Sequence, residues 1–406
     1  MDGGATMDGS LGSALAFVQD RHEAFTRLRR DLHAHPELGF EEHRTAALVA
    51  ERLHGWGIEV HTGVGRTGVV GVVHGRGEGP RAVGLRADMD ALPLTEDNDF
   101  AHRSTRTGLM HGCGHDGHTT MLLAAAEYLA AQRDFDGRVV LIFQPAEEGR
   151  GGAKAMIEDG LFARFPVDEV YALHNWPGLP AGQIGLNPGP MMAAADRVEI
   201  TITGRGGHGA HPHLAVDPVL IAAHIVIAAQ SIVARNVPPL ESAVVSLCAM
   251  QAGDLGAMSV VPAQARLVGT VRTFQRHVQD LIEERLAALV RDTARAFGGS
   301  ADVRYTRSYP ATINLRPQYE HALAVARALV GDERVVAELP PSMGSEDFSF
   351  MLHERPGCYV RLGQGGADGG CWLHNSRYDF NDAVIPLGAA YLAALAQRRL
   401  PRHPAP

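Results

Sequence analysis

A chain of 406 residues, 45% hydrophobic and 20% charged, has the composition of a soluble globular protein and exceeds one ordinary core, so two domains are expected. Its net charge of −9 argues against nucleic acid or an anionic membrane as partner. The four cysteines, at 113, 248, 358 and 371, are too few and too scattered for a disulfide framework, and a reducing cytoplasm fits them best.

Residues 1–12 lack the basic and apolar regions of a signal peptide and read as a disordered start. Apolar residues recurring every three or four positions predict helices over 13–30 and 41–56, joined by the polar turn Leu32 to Gly39. Strand-like runs follow at 67–74 and 81–87, the second ending in Asp88-Met89-Asp90. The stretch Met110 to His118 then sets one thiol, three imidazoles and a carboxylate among three glycines, just ahead of a helical run from Thr119 to Leu129. Cys113 and His115 lie two apart, so on extended backbone they share a face and suit zinc or a similar divalent ion. A buried apolar cysteine beside a loop histidine, or a catalytic thiol–histidine pair, is the competing reading.

Residues 138–143 form a continuous aliphatic run, the pattern of a buried parallel strand, and lead into Glu147-Glu148. A helix over 152–158 and a strand over 169–173 follow, the strand ending in His174-Asn175-Trp176-Pro177. Strands alternating with helices predict an α/β sheet. Each ionisable cluster comes just after a strand, where open α/β sheets place their sites.

From about residue 190 the texture changes. Strict alternation over 196–203 marks a half-buried strand. Asp217-Pro218 caps a helix to Ala234, and strand 242–251, strand 259–272, helix 276–297 and strand 301–306 complete a β-α-β-β-α-β order, the ferredoxin-like arrangement. The apolar run Val219 to Val233 contains His224 and Gln230 and reads as too short and too polar to span a bilayer. Afterwards α/β texture resumes: helix 318–330, Met343 to Phe348 opening another helix, strand 358–362, a flexible glycine loop over 363–370, Trp372-Leu373-His374, and a last helix over 384–398. The domains expected are therefore a discontinuous α/β domain of 13–189 and 307–406 and an inserted α+β domain of 190–306.

Two stretches match G-x-G-x-x-G and are set aside. Gly63 to Gly68 runs into a strand, and Gly204 to Gly209 opens no helix at the required distance, so neither is a dinucleotide fingerprint. What remains is Cys113, His115, Glu147, Glu148, His174 and His374, with Asp88, Asp90 and Asp116 nearby in sequence. Neighbouring residues on extended backbone point apart, so one of the paired glutamates can bind metal while the other takes a proton from water. An acidic pair favoured by a helix start is the bland alternative for Glu147-Glu148. His208, in a glycine loop with His211 and His213, could stabilise an oxyanion from a mobile domain, or be a solvated loop residue. Arg272, at a strand end, could grip a substrate carboxylate bidentately.

Together these residues resemble the M20 metallopeptidase family, in its amidohydrolase branch. The resemblance runs from about residue 25 to 398, through LHAHPELGFEE, RADMDALP, MHGCGHDGHT, FQPAEEG, ALHNWP, GRGGHGAHPH, GTVRTF, MGSEDF and LHNSRYDF. It implies a mixed-sheet catalytic domain with an inserted ferredoxin-like lid and dimerisation domain. It also implies metal ligands Cys113, His115, Glu148, His174 and His374 around two divalent ions (manganese or zinc, with cobalt or nickel also accommodated), Cys113 bridging. Glu147 becomes the general base and acid, and His208 reaches the site from the lid. Arg272 and Asn314 join His208 as candidate substrate contacts.

The implied reaction is hydrolysis of the amide bond of N-acyl amino acids of acetyl, benzoyl or indole-acetyl type, in a cytoplasmic homodimer or homotetramer. An N-acetyl-diaminopimelate-type deacetylase and a non-catalytic metabolite-binding protein are the alternatives. Two departures stand out. Asp88 occupies the place of a metal-binding histidine of the wider family, which puts a catalytic role for Asp90 in doubt. Ser259 stands where relatives usually carry asparagine, which bears on the substrate pocket.

Overall fold

The computed structural model describes residues 4–366 and 371–402. The chain divides into two compact units: Met1–Met191 with Ile313–Pro340 and Asp347–Pro406, and Met192–Thr312 with Pro341–Glu346. The boundaries expected at 190 and 306 shift accordingly. The last strand of the insert runs over Ser300–Tyr309, and the segment Pro341–Glu346 rejoins the second unit because Ala193 N donates to Ser342 O and Gly344 O at 3.1 and 2.8 Å.

The first unit is built on an eight-stranded mixed sheet. Four strands at its centre, in the order Asp136–Gln144, Gly77–Asp88, Glu169–Trp176 and Gly357–Gly363, are mutually parallel. Val139, Leu141, Ile142 and Phe143 are fully buried, which is why the sequence there is aliphatic without alternation. Gly68–His74 and Glu59–Val64 extend one side antiparallel, and Ile184–Gly185 and Val335–Val336 close the other. The strand Glu59–Val64 has no clear apolar alternation and was not anticipated. Since the central strands are parallel, Gln144, Asp88, Trp176 and Gly363 all end on one edge of the sheet, and every candidate ligand lies at or beyond that edge.

The helix His115–Gln132 is buried almost all round, with Met121 through Ala126 wholly inaccessible. A helix so enclosed needs apolar or small residues on every face, and its run Met121-Leu122-Leu123-Ala124-Ala125-Ala126 supplies them. It packs on Ile385–Arg399 at a distance set by Gly388, where an added Cβ would come within 2.1 Å of the Met121 sulfur.

The disordered start expected at 1–12 is corrected. The backbone is helical from Gly4, in one helix Gly4–Gln19 whose Ala14 and Val18, beyond the stretch in question, are buried in the main core; residues 1–3 lie outside the described residues. The single helix expected over 13–30 is two, since His22–Ala34 starts afresh after Asp20-Arg21. Of the glycine loop expected at 363–370, residues 367–370 lie outside the described residues.

The second unit has the expected β-α-β-β-α-β order. Its antiparallel sheet runs Ala243–Ala252, Gln264–Thr273, Ala194–Thr203, Ser300–Tyr309, with the helices Pro218–Arg235 and Arg276–Ala296 packed on it. Asp217 caps the first helix by accepting from Val219 N at 2.8 Å. That helix, at 18 residues and a mean hydropathy of 1.7, is longer and more apolar than the sequence run suggested, and by length and composition alone could cross a membrane. Here Ile221, Ile225, Ala229 and Ile232 bury one face of it against the sheet.

Candidate metal centre

The helix begins at His115, not Thr119, and Gly114 before it adopts φ 91°. Cys113 and His115 therefore meet through a left-handed turn, and the extended alternation expected for them does not occur. Only glycine fits there: beyond the strain of that φ, an added Cβ would lie 2.4 Å from Asn175 Oδ1 and 2.6 Å from the Tyr378 hydroxyl.

Two ligand trios form around one sulfur. In Cys113, His115 and His174, and again in Cys113, Glu148 and His374, one donor atom from each residue lies within 4.8 Å of the others. Cys113 Sγ is 3.5 Å from His174 Nε2, and His374 Nε2 is 3.2 Å from Glu148 Oε1. The rings are already turned for metal binding. His174 Nδ1 donates to Asn175 O at 2.7 Å, which leaves Nε2 facing the sulfur. His115 Nδ1 sits 3.2 Å from Asp90 Oδ1, and its buried Nε2 has no hydrogen-bond partner. Glu148 Oε1 is likewise buried, facing only the ligand His374 Nε2. A histidine anchored through one nitrogen by a carboxylate or carbonyl, with the other nitrogen open, is the usual arrangement of a metal ligand.

The electrostatics agree. Burial, then Glu148, pushes the Cys113 thiol up, so it keeps its proton until a cation displaces it. Cys113 and Glu148 push His374 up to about 10, and in spite of burial His115 is raised as well, beside Asp88 and Cys113, so both must give up a proton when a cation binds. Burial and the nearby His118 hold His174 well below its usual range, as a neutral ligand requires. A soft thiolate, imidazoles and a carboxylate fit divalent metal ions.

Glu147 belongs to a neighbouring trio with His115 and Glu148. Its Oε1 accepts from Asp347 N at 3.3 Å, and only 8% of the residue is exposed. Ala146, just before it, has φ 53°, a strained value for a residue with a side chain. Two carboxylates brace this bend: Glu42 accepts from Ala146 N at 2.8 Å, and Asp90 Oδ2 accepts from Glu148 N at 2.9 Å. Asp90 thus touches both His115 and the glutamate pair. Asp88 also faces the cluster, forming a further trio with His115 and His118, its Oδ2 3.7 Å from His115 Nε2. It is held by Arg86 Nη1 at 2.7 Å and by His118 Nδ1 at 2.5 Å, and His118 Nε2 meets Asn175 Oδ1 at 2.6 Å. Asp116 turns away, to His33 at 2.8 Å and Arg29 at 3.5 Å.

The other predicted contacts fall differently. Asn314 is corrected: it is 3% exposed, its amide donates to Asn187 O and Tyr359 O at 3.0 Å each, and its oxygen accepts from Tyr359 N at 2.7 Å. With both ends committed to the backbone, it pins two segments and offers nothing to a substrate. In the second unit, His208 is exposed on a two-residue strand paired with Val260–Val261, its Nδ1 accepting from Ala210 N at 3.0 Å. Ser259 supports that loop, its carbonyl accepting from Gly209 N at 2.7 Å. Arg272 is half-buried on Gln264–Thr273, and among the described residues its guanidinium has no hydrogen-bond or ion-pair partner. Glu42, Asn175 and Asp347 were missed as supports of the site. Glu42 and Asp347 lie in the quoted motifs, but their partners are far away in sequence.

The chain matches the model of peptidase family M20/M25/M40 over residues 84–398. It is 42% identical over 383 residues to a hippurate hydrolase of Campylobacter jejuni, covering 94% of this chain and 98% of that one. It is 36% identical over 377 residues to an N-acetylcysteine deacetylase of Bacillus subtilis, covering 92% and 96%. The crystal structure of the Bacillus subtilis YXEP protein, a dinuclear metal binding peptidase from the M20 family, superposes with a TM-score of 0.82 at 32% identity, covering 94% of this chain and 99% of that one. A match of this length, on a fold that gathers Cys113, His115, Glu148, His174 and His374, makes the chain a member of the M20/M25/M40 peptidase family and a metal-dependent amidohydrolase.

Proposed function

We propose that the enzyme hydrolyses the amide bond of N-acyl amino acids, with Cys113, His115, Glu148, His174 and His374 holding two divalent ions. The observation that carries this is the pair of ligand trios sharing Cys113, with Glu147 beside them. When bound, the metals supply Lewis acidity, polarising the substrate carbonyl and acidifying water. The protein supplies the rest. Asp90 and the Asn175 carbonyl fix the two imidazoles. The bend at Ala146, braced by Glu42, separates the tasks of the adjacent glutamates, so Glu148 binds while Glu147 takes a proton from water and returns it to the departing amine. Asp347 N orients the Glu147 carboxylate.

His208 is assigned the role of oxyanion donor and Arg272 that of partner to the substrate carboxylate. The second unit also joins subunits into a homodimer or homotetramer. Support comes from its sheet-edge strand Ala243–Ala252, with Met250 48% exposed, and from the outer helix face with Leu220 48% and Ile227 71% exposed. Manganese or zinc, and the cytoplasm, suit this ligand set and its free thiols.

The test is release of amine from acetyl-, benzoyl- and indole-acetyl-amino acids by manganese- or zinc-loaded protein, with and without chelator. Glu147→Ala is expected to lose about 10²–10⁴-fold in kcat with its metal retained. Near-normal turnover in that variant would remove Glu147 from the chemistry.

A further inference from the structure

The rim of the metal centre carries more aromatic surface than amide hydrolysis requires. Trp176 stands two residues after His174 at the end of Glu169–Trp176, and Trp372 stands two residues before His374. Strand alternation puts Trp176 on the His174 side, and their ring centroids are 6.3 Å apart. Trp372 meets Trp176 edge-on, at 5.6 Å and 82°. It lies over Gly178, where an added Cβ would come within 2.7 Å of its Cη2. Against the face of Trp176 the buried Arg361 lays its guanidinium 3.7 Å from the ring centroid, while its Nη atoms donate to Met191 O and Pro340 O at 3.1 and 3.4 Å. Trp176 is thus clamped between a cation and a second indole. Trp372 keeps 42% of its surface exposed, a large apolar area left bare beside a polar centre.

We propose that Trp176 and Trp372 form the acyl subsite and select a flat aromatic acyl group over acetyl. This rests on the N-acyl amino acid reading above. The scissile carbonyl must lie at the ligand cluster, so the methyl of an acetyl group ends one bond away and leaves the indoles untouched. A phenyl ring bonded to the carbonyl continues in its plane and reaches the wall, and an indolyl ring held one methylene away reaches it by rotating about that carbon. Edge-to-face and offset contacts between rings favour aromatic over aliphatic occupants beyond the area buried, and a wall already clamped loses little freedom on binding. The amino-acid half of the substrate carries a carboxylate and calls for an accessible cation. Arg361 does not meet that need, because it is 2% exposed and engaged with Trp176 and two carbonyls.

The experiment measures kcat/KM for benzoylglycine, acetylglycine and acetylphenylalanine in the metal-loaded wild type, Trp372→Ala and Trp372→Phe. The wild type is expected to favour benzoylglycine over acetylglycine. Trp372→Ala is expected to cut the benzoyl-to-acetyl ratio by about 10–100-fold, and Trp372→Phe to restore most of it. A loss that falls equally on all three substrates, or chiefly on acetylphenylalanine, would overturn the assignment. If the wild type turns over none of them, the reaction itself has been misread, and binding decides about the wall. Benzoylglycine, but not acetylglycine, should then quench tryptophan fluorescence of metal-loaded Glu147→Ala, with the quench lost in Glu147→Ala/Trp372→Ala. No benzoyl-specific quench would reject the subsite as well.

Discussion

Glu42 has no solvent access, and burial, the largest influence on it, pushes its carboxyl up to about 7 in spite of the Thr67 hydroxyl that donates to it. A carboxyl raised from 4.5 binds its proton more tightly in the folded chain than in the unfolded one. Its contribution to stability is therefore full below the unfolded value and is lost as pH rises through the folded one. Glu42→Gln keeps an acceptor for Ala146 N and does not titrate. In metal-stripped protein it should flatten the fall in Tm between about pH 4.5 and about pH 7, as followed by circular dichroism. An unchanged slope would assign the titration to another group. Glu42 was not legible as a support because its partner, Ala146, is 104 residues away. Cys113 and His115 were legible because their chemistry marks them wherever they lie. Asn314 was misread for a related reason, since a buried amide and a substrate-binding amide are spelled alike. Asn314→Ala should destabilise by about 1–3 kcal/mol in a denaturant melt and leave KM unchanged.

At the scale of elements, the helix His115–Gln132 ties metal site and core together. Its first turn was read as loop because histidine, aspartate and glycine dominate it. In the fold those residues are buried at the sheet edge, where Asp88, Asn175 and His33 satisfy them. Gly117 lets Phe380 lie directly on this turn, since a Cβ there would come within 2.3 Å of the ring. Gly117→Ala should cost about 1–3 kcal/mol and lower metal affinity with it, as thermal melts and metal titration would show. If stability holds and only metal is lost, the turn serves the ligands alone. The central strands were legible from their aliphatic runs. The start of the first helix, residues 4–12, was not, because three glycines and few large apolar residues give it no periodicity of its own.

For the whole molecule, metal binding and folding are linked, since the ligands come from segments that only the folded sheet unites. Chelation should lower Tm, and metal affinity should rise with pH as the Cys113 thiol gives up its proton. Cys113→Ala should bind fewer than two ions per chain by elemental analysis, since both trios lose their shared member. Full metal content in that variant would end the bridging assignment. The change in texture near residue 190 made the insert visible, whereas the return of Pro341–Glu346 to the second unit was not, because six residues carry no periodicity of their own.

The interruption of the first unit also orders events at the ribosome. Cys113, His115, Glu148 and His174 are made before the insert, whereas His374, Asp347 and the central strand Gly357–Gly363 come after it. An emerging chain therefore presents one trio two hundred residues before the second can close. Metal captured early would sit in a half-built site, and activity can start only when the last quarter of the polypeptide has been threaded back into the sheet.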